Sequence, residues 1–243
     1  METVTYQQES VRLTVADGIK AGIPIAVGYI PIAIAFGLLA KSSGVPNEVS
    51  ILMSLAIFAG ASQFVGVNLL ALGTAYWEIV LATFILNLRH FLMAASLAQR
   101  LDKQTPKPWL ALVSFGITDE TFSVASLREE QYLSTGFVLA LNGMAFAAWN
   151  IGTWVGLFLA GGLPESVKAS MGIALYAMFV GLLLPSMKKS RPALVIGLAA
   201  MVMHGLLRVM PGLEGLSAGW GVVIATVAGA VAGAILFVDG GEA

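Results

Sequence analysis

The chain has 243 residues, of which 58% are hydrophobic and only 11% are charged. Soluble domains carry about 25% charged residues, so this composition excludes a soluble globular protein, whose surface must be covered by polar groups, and an intrinsically disordered one. A net charge of −1 leaves no basic surplus for nucleic acid, and the absence of cysteine excludes disulfides and thiolate ligands. The composition therefore predicts an integral protein of a lipid bilayer.

Long apolar runs follow a polar start. Residues 1–17 are interpreted as an N-terminal tail, because they lack the basic start and short apolar core of a secretory signal. Residues 18–243 then form a single transmembrane domain. About 20 apolar residues are needed to cross the hydrocarbon core, and the runs predict an all-α bundle of about seven or eight segments. The eight candidates are Ile19–Ala40, Val49–Leu72, Trp77–Leu97, Trp109–Leu127, Thr135–Ala160, Ala169–Ser186, Pro192–Met210 and Gly219–Val238.

Two of these segments contain features that weaken a helix. Ile19–Ala40 holds Pro24 and Pro31, each of which removes a backbone donor, and Phe58–Asn68 concentrates small residues around Gln63. Transporters place substrate at interrupted helices, whereas the structural alternative is that these residues are kinks and packing notches. The lysines and arginines divide evenly between the two sides if all eight segments cross, so we expect some segments to be broken or re-entrant.

Three polar residues, Asn87, Arg89 and His90, lie midway along Trp77–Leu97. At about 100° per residue, Asn87 and His90 share one side of the helix, and Arg89 points nearly opposite Asn87. A charge at the centre of a lipid-facing helix costs roughly 2.5–3.5 kcal/mol, so Arg89 is expected to turn inward. Its guanidinium either binds a substrate carboxylate or forms a structural ion pair that locks two helices together.

Two acids, Asp119 and Glu120, lie inside Trp109–Leu127. Two neighbouring carboxylates in a low-dielectric site do not both ionise readily, so one is expected to hold a proton near neutral pH, as a proton-coupled carrier requires. Either acid is a natural partner for Arg89, because Glu78 sits at a segment end. The alternative interpretation is a short helix with a water-exposed turn.

Uncharged amides and small residues complete the polar and packing features of the spans. Amides bind a zwitterion or join helices; Gln63 is favoured for binding because it lies in the weak helix, and Asn142 and Asn150 are favoured for joining helices. The small-residue motifs Gly152–Gly156 and Gly229–Gly233 predict close approach of helix backbones.

Three runs of residues resemble the signatures of the AzlC-type branched-chain amino-acid permeases. They are, in chain order, Phe58–Phe64 (FAGASQF), Asn87–Ser96 (NLRHFLMAAS) and Thr118–Phe122 (TDETF). Their order and spacing agree with that family from about residue 19 to residue 191, with Ala94 as a small departure from the more usual glycine.

The resemblance implies a multi-pass protein of the bacterial inner (plasma) membrane. It implies the large subunit of a two-component exporter that works with a small hydrophobic AzlD-like subunit. The implied substrates are leucine, isoleucine and valine, sometimes methionine, exported at the expense of the proton gradient and without a cofactor.

The polar residues of the spans and this resemblance together give one candidate site. Arg89, with the amides near Ala61–Gln63, is expected to hold the substrate carboxylate, and Asp119 or Glu120 the ammonium or the coupled proton. Substrate binding is thus assigned to Ala61, Ser62, Gln63, Asn87, Arg89 and Asp119, and proton coupling to Asp119, Glu120 and His90. No catalytic or metal-binding residue is assigned, since only two histidines are present and they lie far apart.

Two other classes of function stay open from the residues alone. One is a passive channel for small solutes. The other is an intramembrane enzyme that uses Asp119, Glu120 and His90, although the spacing of a nucleophile and its base is not evident.

Overall fold

The computed structural model describes residues 13–102, 104–162, 190–210 and 215–237, together with single positions between 164 and 188. Within these residues the chain forms nine α-helices and no strand, which confirms the predicted all-α class. The helices are α1 (Val15–Ser42), α2 (Asn47–Ala56), α3 (Gly60–Ala71), α4 (Tyr76–Ala98), α5 (Lys107–Gly116), α6 (Asp119–Ser126), α7 (Thr135–Ala160), α8 (Arg191–Val209) and α9 (Ala218–Phe237).

Four of the described helices, α1, α4, α7 and α9, are long and apolar enough to cross a membrane. Helix α8 contains a shorter apolar stretch, Arg191–Leu207. The predicted number of seven or eight segments is therefore not established by helix length. Most of the predicted segment Ala169–Ser186, and residues 1–12 of the predicted tail, lie outside the described residues.

Two predicted segments are interrupted, and a third, for which an interruption was one of two alternatives, is continuous. Val49–Leu72 divides into α2 and α3 around residues 57–59, as its small residues predict. Trp109–Leu127 divides into α5 and α6 at residues 117–118, which agrees with the alternative interpretation of a short helix at the two acids. The interruption considered for the first segment is wrong, because α1 is continuous through Pro24 and Pro31. Neighbouring helices compensate for the missing donors in such cases.

The chain divides into two compact units, and the divisions fall within α1, α4 and α7. Unit 1 comprises Met1–Tyr29 and Arg89–Trp149, and unit 2 comprises Ile30–Leu88 and Asn150–Ala243. Helices α5 and α6 belong to unit 1, whereas α2, α3, α8 and α9 belong to unit 2.

In unit 1, α1 packs closely against α7 through glycines. A Cβ on Gly18 would lie 2.9 Å from the Cβ of Ala140, and one on Gly22 would lie 2.6 Å from the Cβ of Met144. Phe137 of α7 is fully buried at this contact. Small residues let helix backbones approach in lipid, where packing rather than the hydrophobic effect drives association.

Helices in unit 2 also pack closely through glycines. These contacts confirm the close approach predicted from the two small-residue motifs. A Cβ on Gly152 of α7 would lie 2.6 Å from the Cβ of Ala33 of α1, and one on Gly156 would lie 3.0 Å from the Cα of Gly37. Helix α8 packs against α9. There a Cβ on Gly233 would lie 2.9 Å from Ile196 Cγ1.

Candidate functional site

An ion pair connects α4 and α6 in unit 1. The Arg89 guanidinium lies 2.6 Å from the Asp119 carboxylate, with 47% and 48% of the two side chains exposed. The expected pairing of Arg89 with one of the two acids is thus found in the structure. Because about half of each side chain is exposed, a third group can contact the pair from its exposed side.

The sequence around Thr118 explains why α6 begins where it does. Thr118 is the N-cap: its hydroxyl accepts from the Thr121 amide, and its own amide donates to the Thr121 hydroxyl at 2.9 Å. This reciprocal capping satisfies backbone donors that a helix start leaves free. Asp119 and Glu120 follow in the first turn of α6, where the helix dipole favours negative charge. Both acids therefore lie at a break between two short helices, not inside a continuous span.

Glu120 has a partner on α1 that the sequence reasoning missed. The Tyr29 hydroxyl donates to the Glu120 carboxylate and lies 2.8 Å from the Thr118 hydroxyl. Tyr29 is buried, and its ring meets that of Trp149 edge to face at 5.5 Å. A buried tyrosine hydroxyl usually has a hydrogen-bond partner, so a tyrosine inside an apolar run was an available signal.

His90 belongs to the same electrostatic neighbourhood. Its side chain is partly buried, and the charges of Arg89, Asp119 and Glu120 all act on it. Among the described residues, no group of three or more histidine or acidic side chains is arranged to hold a metal ion. Unit 1 thus offers a cluster of one cation, two acids, a histidine and a tyrosine.

Unit 2 holds a second, uncharged polar group at the break between α2 and α3. Gln63 donates to the Ser54 hydroxyl at 3.0 Å, and that hydroxyl lies 2.9 Å from Thr153 on α7. All three side chains are fully buried. The remaining oxygen of Gln63 has no partner among the described residues. Ser62 donates to the Asn87 side-chain oxygen at 2.7 Å.

The start of α3 has no side-chain cap. Its N-cap residue, Ala59, has no side chain that can accept from the first turn, so backbone donors there resemble the anion sites found at helix N-termini. Ala61 lies in this first turn.

The predicted site residues therefore fall into two groups. Arg89, Asp119, Glu120 and His90 lie in unit 1, whereas Ala61, Ser62, Gln63 and Asn87 lie in unit 2. Within these groups, Arg89 contacts Asp119 in unit 1 and Ser62 contacts Asn87 in unit 2. Ser54, Thr153 and Tyr29 are additional members that the sequence reasoning did not name.

A cavity of about 800 Å³ lies elsewhere in unit 1. Its walls include the aromatic side chains of Trp109 and Tyr132 and the polar side chains of Asp102 and Ser134. None of the predicted site residues is among the described residues that line it. The predicted site is therefore not located in this cavity.

Comparison with known proteins gives a family match over the region that contains the predicted site residues. A model of the family described as "AzlC protein" matches residues 24–163, which include all predicted site residues. No solved structure matches the fold.

Three relatives cover different shares of the chain. The inner membrane protein YgaZ of Escherichia coli is 34% identical over 217 residues, or 85% of this chain and 89% of that protein. An uncharacterized membrane protein of Archaeoglobus fulgidus is 37% identical over 196 residues, or 77% and 83%. The branched-chain amino acid transport protein AzlC of Bacillus subtilis is 34% identical over 102 residues, or 42% and 39%.

Proposed function

Because this chain belongs to the AzlC family of membrane transport proteins, we propose that it is the large subunit of a secondary transporter that exports branched-chain amino acids. The substrates are leucine, isoleucine and valine, with methionine as a further candidate. The observation that carries the proposal is the half-exposed ion pair between Arg89 and Asp119. The name of the Bacillus subtilis relative supports the substrate class.

The ion pair suits a zwitterion because it already contains one charge of each sign. Arg89 and Asp119 neutralise each other at 2.6 Å. An amino acid that enters between them gives its carboxylate to Arg89, whose guanidinium can bind a carboxylate bidentately. Its ammonium then replaces Arg89 as the partner of Asp119. Every charge stays paired when the site is loaded, which limits the cost of excluding water. The aliphatic side chain needs only an apolar wall.

Glu120 is the proposed carrier of the coupled proton, with His90 as a second titratable group in the cluster. When Glu120 is protonated, the cluster of Arg89, Asp119 and Glu120 has no net charge, and the loaded site is neutral as well. Burying a neutral cluster within a membrane protein costs less than burying a charged one. The Tyr29 hydroxyl, which contacts Glu120, gives this proton an adjacent hydrogen-bonding group.

The uncharged group of unit 2 is proposed as a further substrate contact. The open start of α3 at Ala61 and Ser62 offers backbone donors to an anionic group. Gln63 supplies a buried oxygen without a partner among the described residues, and Asn87 an amide next to Ser62. We propose this contact independently of the ion pair in unit 1.

A small hydrophobic AzlD-like protein is the proposed partner. The similarity of the three signature runs to those of two-component exporters supports this part of the proposal. Co-expression with such a protein and purification through a tag on this chain tests it, since a stable partner is retained in detergent. Full transport by this chain alone would contradict it.

The substrate proposal is tested by reconstituting the chain with its partner into liposomes loaded with leucine. A carrier exchanges internal leucine for external labelled leucine, so counterflow is expected, and an imposed proton gradient is expected to drive accumulation. A passive channel gives no counterflow. Absence of both leucine counterflow and gradient-driven uptake would contradict the proposed function.

A further inference from the structure

Helix α6, which carries Asp119 and Glu120, has only eight residues. Isolated helices shorter than about 12–15 residues are marginal even when their sequence favours helix, so contacts must hold α6 in place. Its N-terminal end is fixed by the Thr118 cap. Its C-terminal end presents backbone carbonyls that lack partners within the helix, as every helix end does.

Arg100, just after α4, donates to carbonyls at and beyond this end of α6. One of its terminal nitrogens donates to the carbonyls of Ala125 (3.1 Å) and Ser126 (2.9 Å). The other donates to the carbonyls of Arg128 (2.7 Å) and Glu130 (2.5 Å). The planar guanidinium presents five N–H donors in a fixed fork, and its charge is favourable at a helix C-terminus. One side chain thus binds the last turn of α6 and the segment that follows it.

The backbone of Arg100 makes a further contact with the segment after α6. The Leu133 amide donates to the Arg100 carbonyl at 2.8 Å, and Leu101 forms an isolated bridge with Leu133. Both leucines are buried. The end of α4 is therefore attached to the chain on the C-terminal side of α6 by side chain, backbone and apolar contacts.

Helix α4 and the turn after it hold α6 at two points. Arg89 contacts Asp119 at the N-terminal end of α6, and Arg100 contacts the carbonyls at the other end. We propose that Arg100 is a positioning residue, which fixes α6 so that Asp119 and Glu120 face Arg89 in the geometry that binds substrate. This inference rests on the proposed function for its transport consequence, whereas its structural part stands on the contacts alone.

The inference is tested with Arg100→Gln and Arg100→Lys in the complete protein. Glutamine removes the charge and the fork, and lysine keeps the charge but concentrates its donors on one atom. Arg128→Gln is the matched control. It removes a cation from the segment after α6, where Arg128 lies over the Phe137 ring at 5.2 Å. The Arg128 carbonyl remains available to Arg100.

The first measurement is hydrogen exchange of the α6 amides, which does not depend on the identity of the substrate. Arg100→Gln is expected to raise exchange in Asp119–Ser126 by roughly tenfold, because local opening becomes easier, with Arg100→Lys intermediate and Arg128→Gln unchanged. Unchanged exchange of α6 in Arg100→Gln would overturn the inference, whatever the effect of the substitution on leucine transport.

The second measurement is the leucine KM and maximal rate in proteoliposomes, corrected for the amount of folded protein. A misplaced binding group is expected to raise KM by roughly tenfold or more, whereas a purely structural loss lowers only the amount of active protein. A normal KM in Arg100→Gln would overturn the transport part of the inference. If the unaltered protein does not transport leucine, the proposed function fails and hydrogen exchange alone decides whether Arg100 holds α6.

Discussion

Arg89 and Asp119 lie on different helices, and their charged groups meet at 2.6 Å while nearly half of each side chain stays exposed. Exposed ion pairs stabilise proteins by only about 0–1 kcal/mol. Stability is therefore a weak reason for placing two costly charges within a chain that is only 11% charged. The proposed zwitterionic substrate gives a stronger reason, since its binding requires one cation and one anion in the same site.

The first prediction separates substrate binding from structural pairing. Arg89→Ala and Asp119→Asn are each expected to lower leucine transport by roughly tenfold to 100-fold, because each leaves one charge without its partner. The exchanged pair, Arg89→Asp with Asp119→Arg, restores the ion pair but reverses the charges that face the substrate. Thermal stability in detergent is expected to return in the exchanged variant, and leucine transport is not. Recovery of transport by the exchanged pair would show that the contact only locks the helices.

The second prediction concerns the coupled proton. Glu120→Gln cannot lose a proton, so this variant is expected to retain leucine counterflow but to lose accumulation driven by a proton gradient. Tyr29→Phe keeps the aromatic ring beside Trp149 and removes the hydroxyl that contacts Glu120. We expect it to slow gradient-driven uptake more than counterflow. Both activities are measured in the same proteoliposomes, and a Glu120→Gln protein that still follows the gradient would assign coupling to another group.

The third prediction tests the uncharged group of unit 2. Gln63→Leu removes the amide, while Ser54 keeps its contact with Thr153. Leucine transport is expected to fall at least tenfold with little change in thermal stability. The matched control is Asn142→Leu in unit 1, where the amide joins helices by donating to the Val113 carbonyl at 3.0 Å.

The control should lose stability, by about 1–3 kcal/mol if the freed carbonyl is left unsatisfied, and should retain transport for each folded molecule. Transport and melting temperature are measured on the same preparations. If Gln63→Leu melts far below the unaltered protein and transports normally for each folded molecule, Gln63 has a structural role only.

Helix boundaries were predictable where the local sequence weakens the helix. The break before Gln63 follows from its small-residue surroundings, whereas the break at Thr118 was predicted only as the alternative to a continuous apolar span. Thr118 followed by two acids is nevertheless a helix-start pattern. Pro24 and Pro31 left two alternatives open: local backbone cost favours an interruption, whereas the structure shows a continuous α1 that packs closely against α7.

Members of the candidate site were predictable where a charge interrupts an apolar run and were not predictable where the side chain resembles its surroundings. Arg89 and Asp119 stand out because so few charges occur within the apolar runs. Tyr29 does not, since aromatic side chains count as apolar and its partner Glu120 lies 91 positions away. Arg100 does not stand out either, because four hydrogen bonds to carbonyls 25 to 30 positions later have no sequence signature.

The last prediction uses two glycines of α7 to test the packing of this helix against α1. Gly156 lies against α1, where an added Cβ would be 3.0 Å from Gly37 Cα, whereas Gly143 has open space around the same position. Gly156→Ala is therefore expected to destabilise the protein by roughly 1–3 kcal/mol, the usual cost of overpacking, because backbone atoms of α1 cannot move aside cheaply. Gly143→Ala is expected to be neutral or slightly stabilising, since alanine is the better helix former. Melting temperatures of the two purified variants in the same detergent measure the difference, and equal values would contradict the close approach of α1 and α7.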